Sequence, residues 1–417
     1  MISGKVSYGI LAWLVVVCVI CIVTAARAQR PSAPVYDLVL ANGRVMDPES
    51  GLDAARNVGI TNGRIAAISA RPLRAKETIN VSGLVVAPGF IDLHAHGQDQ
   101  FSSSLQARDG VTTALELEIG VFPVAQWYAA RAGKALIHYG ATVGHVPARL
   151  KLKHDIDAGH FLTSPSFTKL GALKGWAYDR ATPEEIGRLE KLLAQGLDEG
   201  ALGVGYGINY TPAASREEIL RMFALAAGRG VPNFVHIRYA SRIEPGSSIE
   251  AAQEMLANAA ATGAAVHIVH LASVGLGQLP ILLKMIEGAR RSGLDVTTEV
   301  YPYTAGSTFI NAAIFDPGWR ERTAADYSDL QWVATGERLT EETFNRYRRE
   351  QPEGIIIAHF MKEEMVEQAI AHPQVMIASD GMVFVNGRAH PRGAGTFARV
   401  LGRYVREKKT LSLMDAL

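Results

Sequence analysis

Two histidines separated by one residue are the first candidates for chemistry. They lie in the segment FIDLHAH, where the apolar run from Phe90 predicts a short strand that ends at His94 and His96. Side chains two positions apart in a strand share a face, so both imidazoles can reach the same metal ion. Because a chain of 417 residues with 12 histidines easily contains a His-x-His pair by chance, the informative feature is the position at a strand end.

Two further histidines end predicted strands. His236 closes the segment NFVH, and His270 closes the segment VHIVH. His267 and His270 are an odd number of residues apart, so only one of them can face the interior of a barrel. We assign His270 to the interior because it lies nearer the strand end, and we interpret His267 as a hydrogen-bonded histidine that faces the core or a helix.

A carboxylate stands at the end of another apolar segment. Asp380 ends the strand predicted for MIASD, and Gly381 then favours a turn. An aspartate in such a place commonly caps a helix or a turn. A buried carboxylate is costly unless it is paired or bound to metal, however, and beside four convergent histidines we interpret Asp380 as part of the site.

The segment TTALELE places two glutamates on one face of a predicted strand. Glu118 lies about 6 to 7 Å beyond Glu116, toward the C-terminal end of the strand, which is the catalytic end in a barrel. One or both glutamates can be metal ligands, and we choose Glu118. The alternative interpretation is a surface strand with a solvated acidic face.

These candidates need a scaffold that brings strand ends together. From about Val85, short apolar strands alternate with amphipathic helices, and Thr182 and Ser215 each begin a capping box before a helix. Eight such units predict an α/β fold, a (β/α)8 TIM barrel over residues 85–417, with an insertion at about 304–353. The expected barrel strands are 89–96, 112–118, 139–145, 201–206, 233–238, 266–271, 296–303 and 375–380, and a further strand is expected at 355–359.

Residues 34–84 have a different pattern. Apolar and polar residues alternate between 36 and 69, with Asn-Gly steps at Asn42 and Asn62, which favours short antiparallel strands. We expect the N-terminal part of a small β-sandwich subdomain. No strands follow the predicted barrel, so we expect the C-terminal strands of this subdomain to be missing.

The first 28 residues predict a secretory signal peptide. Lys5 precedes the apolar run Ile10–Val23, and Ala26-Arg27-Ala28 matches a cleavage site. Both cysteines, Cys18 and Cys21, lie in this segment, so the mature chain would have no disulfide, thiol nucleophile or cysteine ligand. We expect a periplasmic or secreted protein with no stable membrane association after cleavage. The alternative is an N-terminal membrane anchor, because the run approaches the lower length limit for a span.

Composition and charge exclude other classes of partner. Lys and Arg (42) nearly balance Asp and Glu (41), so no basic field favours nucleic acid or an anionic membrane. Removing residues 1–28 takes away two basic residues and no acidic one, which changes the formal net charge from +1 to −1. We therefore expect no nucleic-acid partner.

Blocks along nearly the whole mature chain resemble the amidohydrolase superfamily and, within it, the D-aminoacylase (N-acyl-D-amino-acid deacylase) family, including its D-glutamate deacylases. The widely shared blocks include the His-x-His of APGFIDLHAH and the Ser-Asp-Gly of MIASDG. The family-specific blocks are HIVHLASVG, GLDVTTEVYPYTAGST, and MIASDG followed by HPRGAGTFARVLGRYVRE. The resemblance implies a barrel enzyme that binds one or two zinc ions per chain.

The resemblance also implies roles for single residues. His94 and His96 would form one metal half-site and His236 and His270 the other, while Asp380 would be the catalytic carboxylate.

Two further residues would bind the substrate carboxylate by the same resemblance. They are Tyr210, in the block after the fourth strand, and Arg392, whose planar guanidinium suits the task.

Three features depart from the family pattern. The family's metal-binding cysteine near the end of the second strand is absent, and Glu118 is our replacement ligand. A carboxylate can bridge two zinc ions where the cysteine serves mainly one, which favours a binuclear site. Ala272 lies where the family tends to place a substrate-binding lysine, and the C-terminal strands of the sandwich are missing.

The implied activity is hydrolysis of the linear amide bond of N-acyl-D-amino acids to a carboxylate and a free D-amino acid. A metal would lower the pKa of bound water to about 7 and polarise the carbonyl, and Asp380 would act as general base and then acid. One alternative is a cyclic-amide hydrolase like a hydantoinase or dihydroorotase, but residues 201–207 hold no lysine to carry their bridging carboxylate. Another alternative is a non-catalytic, truncated barrel.

Overall fold

The computed structural model describes residues 34–163, 173–384 and 386–417. These residues divide into two units with a boundary between Pro88 and Gly89. The predicted signal peptide lies outside the described residues. Within the described ranges, no helix is long and apolar enough to cross a membrane.

The N-terminal unit contains one five-stranded sheet. Its strands are β1 (Val35–Asp47), β2 (Leu52–Thr61), β3 (Arg64–Ser69), β4 (Arg74–Asn80) and β5 (Val85–Val86). β1, β2 and β3 pair antiparallel, which confirms the pattern predicted for residues 36–69. β4 and β5 instead pair with β1 in parallel.

The two Asn-Gly steps of this sheet have different structures. Asn62 and Gly63 both have positive φ, 51° and 70°, and join β2 to β3 in a tight turn. Asn42, with φ 66°, lies inside β1, where the register with β2 shifts. Its N–H donates to Asn57 Oδ1 at 3.0 Å. The same sequence signal thus gives a hairpin in one place and a β-bulge in the other, because both structures require positive φ.

Eight parallel strands form the barrel of the second unit. The strands of this unit are β6 (Phe90–Asp92), β7 (Val111–Phe122), β8 (His138–Gly144), β9 (Gly159–His160), β10 (Val204–Gly207), β11 (Asn233–His236), β12 (Val266–Ile268), β13 (Val296–Val300), β14 (Gly306–Phe309), β15 (Leu330–Trp332), β16 (Ile355–Ala358) and β17 (Val375–Ile377). The barrel order is β6-β7-β8-β10-β11-β12-β13-β17, and a bridge between Ala95 and Gly381 joins the segments that follow the first and last strands. The predicted α/β barrel is confirmed.

Helices connect the barrel strands and cover the outside of the sheet. They are Gln100–Arg108, Val124–Arg131, His145–His154, Gly175–Tyr178, Pro183–Asp198, Arg216–Arg229, Ser248–Thr262, Leu271–Gly275, Leu279–Arg291, Trp319–Thr323, Glu341–Glu350, Glu363–Ile370, Thr396–Arg399 and Leu413–Ala416, with a π-helical segment at Val400–Glu407. The capping box predicted at Thr182 is present. Ser215 also caps its helix, but the Glu218 carboxylate does not complete that box, because it binds His145 and Arg149 instead.

A second sheet follows the seventh barrel strand. β14, β15 and β16 pair antiparallel, and β16 corresponds to the extra strand predicted at 355–359. Apolar side chains of this sheet pack in one cluster with Ile119, near the C-terminal end of β7, and with Val146, in the helix that directly follows β8. The inserted sheet therefore covers the end of the barrel at which the candidate residues lie.

A buried ionic cluster joins two of the outer helices. Glu218 accepts hydrogen bonds from His145 Nε2 at 2.8 Å and from Arg149 Nη1 at 2.6 and 2.8 Å, and all three side chains are fully buried. Burial would raise the pKa of Glu218, but the hydrogen bond from His145 and the charges of His145 and Arg149 outweigh it and lower the pKa to about 2.

We expect Glu218→Gln to reduce the free energy of unfolding by about 3 to 5 kcal/mol at pH 7, because it leaves the charge of Arg149 buried and uncompensated. A carboxylate with a depressed folded-state pKa stabilises the fold above its unfolded pKa of about 4.3, and this contribution is lost as the pH falls toward 2. Urea unfolding should show a smaller difference in the free energy of unfolding between variant and wild type at pH 3 than at pH 7. The exposed neighbour Glu217 provides the matched control, Glu217→Gln. An equal difference at both pH values would contradict the prediction.

Candidate metal centre

The carboxylate of Glu118 lies between two pairs of histidines. On one side, the Nε2 atoms of His94 and His96 lie 3.1 Å from each other and 3.1 Å from Glu118 Oε2. On the other side, Glu118 Oε1 lies 2.6 Å from His236 Nδ1 and 3.2 Å from His270 Nε2. All five side chains are buried. The fold therefore brings all five predicted ligands together, with the four histidines around the Glu118 carboxylate.

Asp380 lies on the side of His94 and His96. Its Oδ1 is 3.6 Å from His94 Nε2, 3.5 Å from His96 Nε2 and 2.9 Å from Arg392 Nη2. Burial would raise the pKa of Asp380, but the charges of Arg392 and His94 outweigh it and hold the pKa well below its usual range. Asp380 is therefore ionised at neutral pH.

Asp92 fixes the segment that carries Asp380. Its carboxylate accepts hydrogen bonds from Ser379 N at 2.9 Å, from Ser379 Oγ at 2.5 Å and from His94 N at 3.2 Å. Asp380 itself has φ 50°, a left-handed conformation that is uncommon outside glycine. The bonds to Asp92 tie the last barrel strand to the His-x-His segment and so place Asp380 beside His94.

His270 reaches the centre through a turn. β12 ends at Ile268, and His270 has φ 33°, so the alternation of side chains along a strand does not apply to it. Counting odd and even strand positions was therefore the wrong reason for choosing His270 over His267, although among the described residues His270 does belong to a group of candidate ligands and His267 does not. The backbone N–H of His270 donates to Glu299 Oε1 at 2.7 Å, and the same oxygen lies 2.9 Å from His94 Nδ1.

Glu299 is a functional candidate that the sequence analysis missed. It is fully buried near the end of β13 and contacts one histidine of each pair. The available signal was an acidic residue near the end of the apolar strand VTTEV. Burial would raise the pKa of Glu299, but the charge and the hydrogen bond of His94 outweigh it and lower the pKa. An ionised Glu299 can accept a hydrogen bond from Nδ1–H of a neutral His94, and in that tautomer Nε2 is free to bind a metal.

His267 lies apart from the centre. Its Nδ1 is 2.8 Å from Thr297 Oγ1, and its ring packs on Phe234 with centroids 5.5 Å apart. Burial lowers the pKa of His267 to about 4, so it is neutral at pH 7. Among the described residues, no group of candidate ligand atoms includes it.

Glu116 contacts Nδ1 of His96, whereas the other ring nitrogen, Nε2, faces Glu118. Its Oε2 lies 2.7 Å from His96 Nδ1 and 2.6 Å from His160 Nε2, and its Oε1 accepts the N–H groups of Ile119 and Gly120. Burial would raise the pKa of Glu116, but the charges and hydrogen bonds of His96 and His160 lower it to about 2. Glu116 thus lies behind His96 and orients it, whereas Glu118 faces its Nε2. Sequence analysis missed His160, which lies on β9, 44 residues from Glu116.

The backbone of the fourth barrel strand, β10, lies close to the backbone of β7 at Glu118. A Cβ atom on Gly205 would lie only 2.4 Å from the carbonyl oxygen of Glu118, so glycine is required there. β10 reads VGYG, and it holds no lysine that could supply a carboxylated ligand. The carboxylate that the structure places between the two histidine pairs is that of Glu118.

A cavity opens beside the centre. It has an empty volume of about 860 Å³, part of which is open solvent, and Glu118, Asp380, Tyr210 and Arg392 all line it. The ring centroid of Tyr210 lies 4.9 Å from that of His236. Arg392 is 1% exposed, and among the described residues its Nε and Nη1 atoms have no hydrogen-bond partner. The cavity therefore presents unused guanidinium donors next to the centre.

The donor set fits a divalent metal such as zinc. Imidazole nitrogens and carboxylate oxygens are its usual protein ligands. Candidate ligand atoms lie within 4.8 Å of one another in four buried groups: His94, His96 and Glu118; Glu118, His236 and His270; His94, His270 and Asp380; and His96, Glu116 and His160. Because the first two groups share Glu118, one carboxylate can contact two ions.

Comparisons with known proteins agree with this geometry. No protein-family model matches the chain. The chain is 30% identical to the N-acyl-D-glutamate deacylase of Alcaligenes xylosoxydans xylosoxydans over 426 aligned residues, which cover 91% of this chain and 81% of the relative. It is also 30% identical to the D-aminoacylase of the same organism over 439 aligned residues, or 94% and 83% of the two chains.

The chain also resembles the solved structure of a deacylase. The N-acyl-D-glutamate deacylase of Bordetella bronchiseptica, crystallised with zinc and a phosphonate inhibitor, matches with a TM-score of 0.74 at 26% identity. The match covers 92% of this chain and 84% of that chain. This chain belongs to the D-aminoacylase (N-acyl-D-amino-acid deacylase) family of the amidohydrolase superfamily.

Proposed function

We propose that this protein is a zinc-dependent hydrolase that cleaves the linear amide bond of N-acyl-D-amino acids and releases a carboxylate and a free D-amino acid. The observation that carries the proposal is the position of Glu118 between two buried histidine pairs, beside a cavity that contains Arg392. The two relatives at 30% identity, a D-glutamate deacylase and a D-aminoacylase, support the same substrate class.

The metal ligands in this proposal are Glu118 and the four histidines around its carboxylate. His94 and His96 would hold an ion on the Oε2 side of Glu118, and His236 and His270 would hold an ion on the Oε1 side, with one or two zinc ions per chain. These residues would hold zinc where it would lower the pKa of bound water and polarise the amide carbonyl.

Asp380 moves the proton. Its ionised carboxylate, 3.5 to 3.6 Å from the ligand histidines, takes a proton from the attacking water. The same oxygen then delivers that proton to the amide nitrogen as the C–N bond breaks, so the amino acid leaves as a neutral amine. No covalent intermediate with the protein is needed.

Arg392 and Tyr210 bind the substrate carboxylate. The free Nε and Nη1 donors of Arg392 are buried, and a guanidinium in this state pairs strongly with a carboxylate. The Tyr210 hydroxyl accepts a hydrogen bond from Thr308 Oγ1 at 3.3 Å, so its own proton is available to the substrate. These contacts would orient the scissile amide toward Asp380 and Glu118.

The test is hydrolysis of a panel of N-acetyl-D- and N-acetyl-L-amino acids by the purified protein. We expect hydrolysis of D-isomers, loss of activity after zinc removal by a chelator, and recovery when zinc is restored. Hydantoin and dihydroorotate test the cyclic-amide alternative, which the absence of a lysine on β10 disfavours. Equal hydrolysis of both enantiomers, preference for a cyclic amide, or inactivity of the zinc-loaded protein would overturn the proposal.

Replacement of single histidines separates ligands from the core histidine. We expect His236→Ala and His270→Ala to lose bound zinc and activity together, because each removes a nitrogen that contacts Glu118. His267→Ala should keep its zinc, since His267 binds Thr297 instead. Metal analysis of the three purified variants checks this, and the reverse pattern would contradict the assignment.

We also propose that the protein is exported to the periplasm. The order of Lys5, the apolar run Ile10–Val23 and Ala26-Arg27-Ala28 supports cleavage after Ala28. N-terminal sequencing of the exported protein should then begin at Gln29. A membrane-embedded product that retains Met1 would contradict this prediction.

A further inference from the structure

His160 reaches the metal centre from β9, a short strand that does not belong to the barrel. Its Nε2 lies 2.6 Å from Glu116 Oε2, and the same oxygen lies 2.7 Å from His96 Nδ1. All three side chains are buried, with His160 only 3% exposed. Because an ionised carboxylate accepts hydrogen bonds and donates none, both histidine nitrogens donate to this oxygen. His160, Glu116 and His96 thus form a continuous hydrogen-bonded chain that ends at a proposed zinc ligand.

Backbone pairing explains how His160 comes to lie beside Glu116. β7 extends to Phe122, and β9 pairs antiparallel with this extension, with His160 opposite Val121. Gly120, with φ 65°, lies where the register of β7 with β8 shifts. Its N–H donates to Glu116 Oε1 at 3.3 Å, while His160 donates to Oε2. Both oxygens of Glu116 are therefore held in place.

The next residues of the same segment anchor β9 by packing. Phe161 belongs to one buried cluster with Ile119 of β7. Its ring centroid lies 5.2 Å from that of Trp176 and 5.9 Å from that of Phe309. A residue can orient a metal ligand only if its own position is fixed, and this packing meets that condition for His160.

We propose that His160 is a positioning residue for the zinc ion on the His94 and His96 side of the centre. It fixes the Glu116 oxygen that accepts from His96 Nδ1, and it thereby keeps His96 Nε2 directed toward Glu118. The effect falls on this ion because the chain ends at His96, on the Oε2 side of Glu118. The inference rests on the proposed zinc centre and goes beyond it, since the proposed function assigns no role to His160.

Two substitutions of His160 separate its hydrogen bond from the space that its ring fills. His160→Met has a side chain of similar length without a donor, whereas His160→Gln places an amide N–H close to the position of the imidazole Nε2. We expect His160→Met to weaken zinc binding at His94 and His96 by about tenfold or more, and His160→Gln to restore most of that affinity. The matched control is His267→Met, which removes a buried histidine that binds Thr297 and should leave both zinc affinities unchanged.

Two measurements follow each zinc ion separately. Competition with a chelator gives the zinc affinities, and anomalous diffraction from crystals at graded zinc concentrations assigns each ion to its side. In His160→Met we expect the peak at His94 and His96 to weaken at low zinc, the peak at His236 and His270 to stay, and both to be full at saturating zinc. A general loss of stability would weaken both peaks, so this selectivity separates positioning from a purely structural role.

Several results would overturn the inference. They are unchanged zinc affinity in His160→Met, equal weakening of both ions, no recovery in His160→Gln, a wild type that binds zinc at His236 and His270 alone, and a zinc peak in contact with His160. If His160→Met does not fold, His160→Asn replaces it, because its shorter amide stops short of Glu116, and unchanged affinity there has the same meaning. Failure of the wild type to bind any zinc would instead overturn the proposed function, so the two failures are distinguishable.

Discussion

Replacement of Glu118 by glutamine is expected, if this carboxylate bridges two zinc ions, to reduce bound zinc from two ions per chain toward one. It should also lower turnover by more than about 100-fold, beyond the range for residues that only orient a ligand. Both oxygens of Glu118 face histidine nitrogens, at distances from 2.6 to 3.2 Å. Glutamine keeps only one oxygen, and its amide nitrogen cannot bind a metal. Metal analysis after dialysis against a fixed free zinc concentration, together with kcat, measures both effects.

Glu116→Gln is the matched control for this prediction. Glu116 lies on the Nδ1 side of His96 and shares its Oε2 between His96 and His160. We expect this variant to keep both ions, with turnover reduced by about 10- to 100-fold because His96 is less well oriented. Zinc loss in Glu116→Gln with unchanged zinc in Glu118→Gln would move the bridging role to Glu116. Full zinc and activity in both variants would mean that the acidic strand is structural, and the binuclear hypothesis would be withdrawn.

Asp380→Asn is expected to lower kcat by about 100- to 10,000-fold while the protein stays folded and retains zinc, because an amide cannot take the proton from water. The carboxylate is held ionised by Arg392, at 2.9 Å, and fixed through the bonds between Ser379 and Asp92. Kinetics on an N-acetyl-D-amino acid, zinc content and the melting temperature check the three parts of this expectation. A kcat within tenfold of wild type would remove Asp380 from the mechanism.

Comparison of Asp380→Asn with Glu118→Gln shows whether Asp380 transfers protons or binds metal. If Asp380→Asn also loses a full equivalent of zinc, Asp380 acts as a ligand, and its effect on kcat cannot be assigned to proton transfer. Zinc retention with lost turnover, by contrast, separates the proton-transfer carboxylate from the metal-binding one.

Local sequence patterns predicted the parts of the site that depend on strand ends. Glu118 lies on β7, where the alternation of side chains sets its face, and His94 and His96 lie just beyond the end of β6 at Asp92. The alternation of strands and helices predicted the barrel that brings these residues together. Asn42 shows the limit of local signals, since its Asn-Gly step forms a bulge inside β1 rather than a hairpin turn. Only pairing with β2 decides between these two structures.

Local sequence patterns could not predict the contacts at the Nδ1 atoms of His94 and His96. Glu299 contacts His94, 205 residues away in sequence, and His160 reaches Glu116 from β9. His270 enters the centre through a left-handed turn that strand periodicity does not describe. These contacts depend on the closed barrel and on a strand outside the repeat, so they arise from tertiary structure rather than from spacing.

In the proposed zinc centre, Glu118 is the common ligand and two histidine pairs hold the ions. Anomalous diffraction at the zinc absorption edge, from crystals grown with excess zinc, tests this arrangement. We predict zinc peaks in contact with the Glu118 carboxylate, with His94 and His96 on one side and His236 and His270 on the other. The absence of any zinc peak in contact with Glu118 in such crystals would contradict the account.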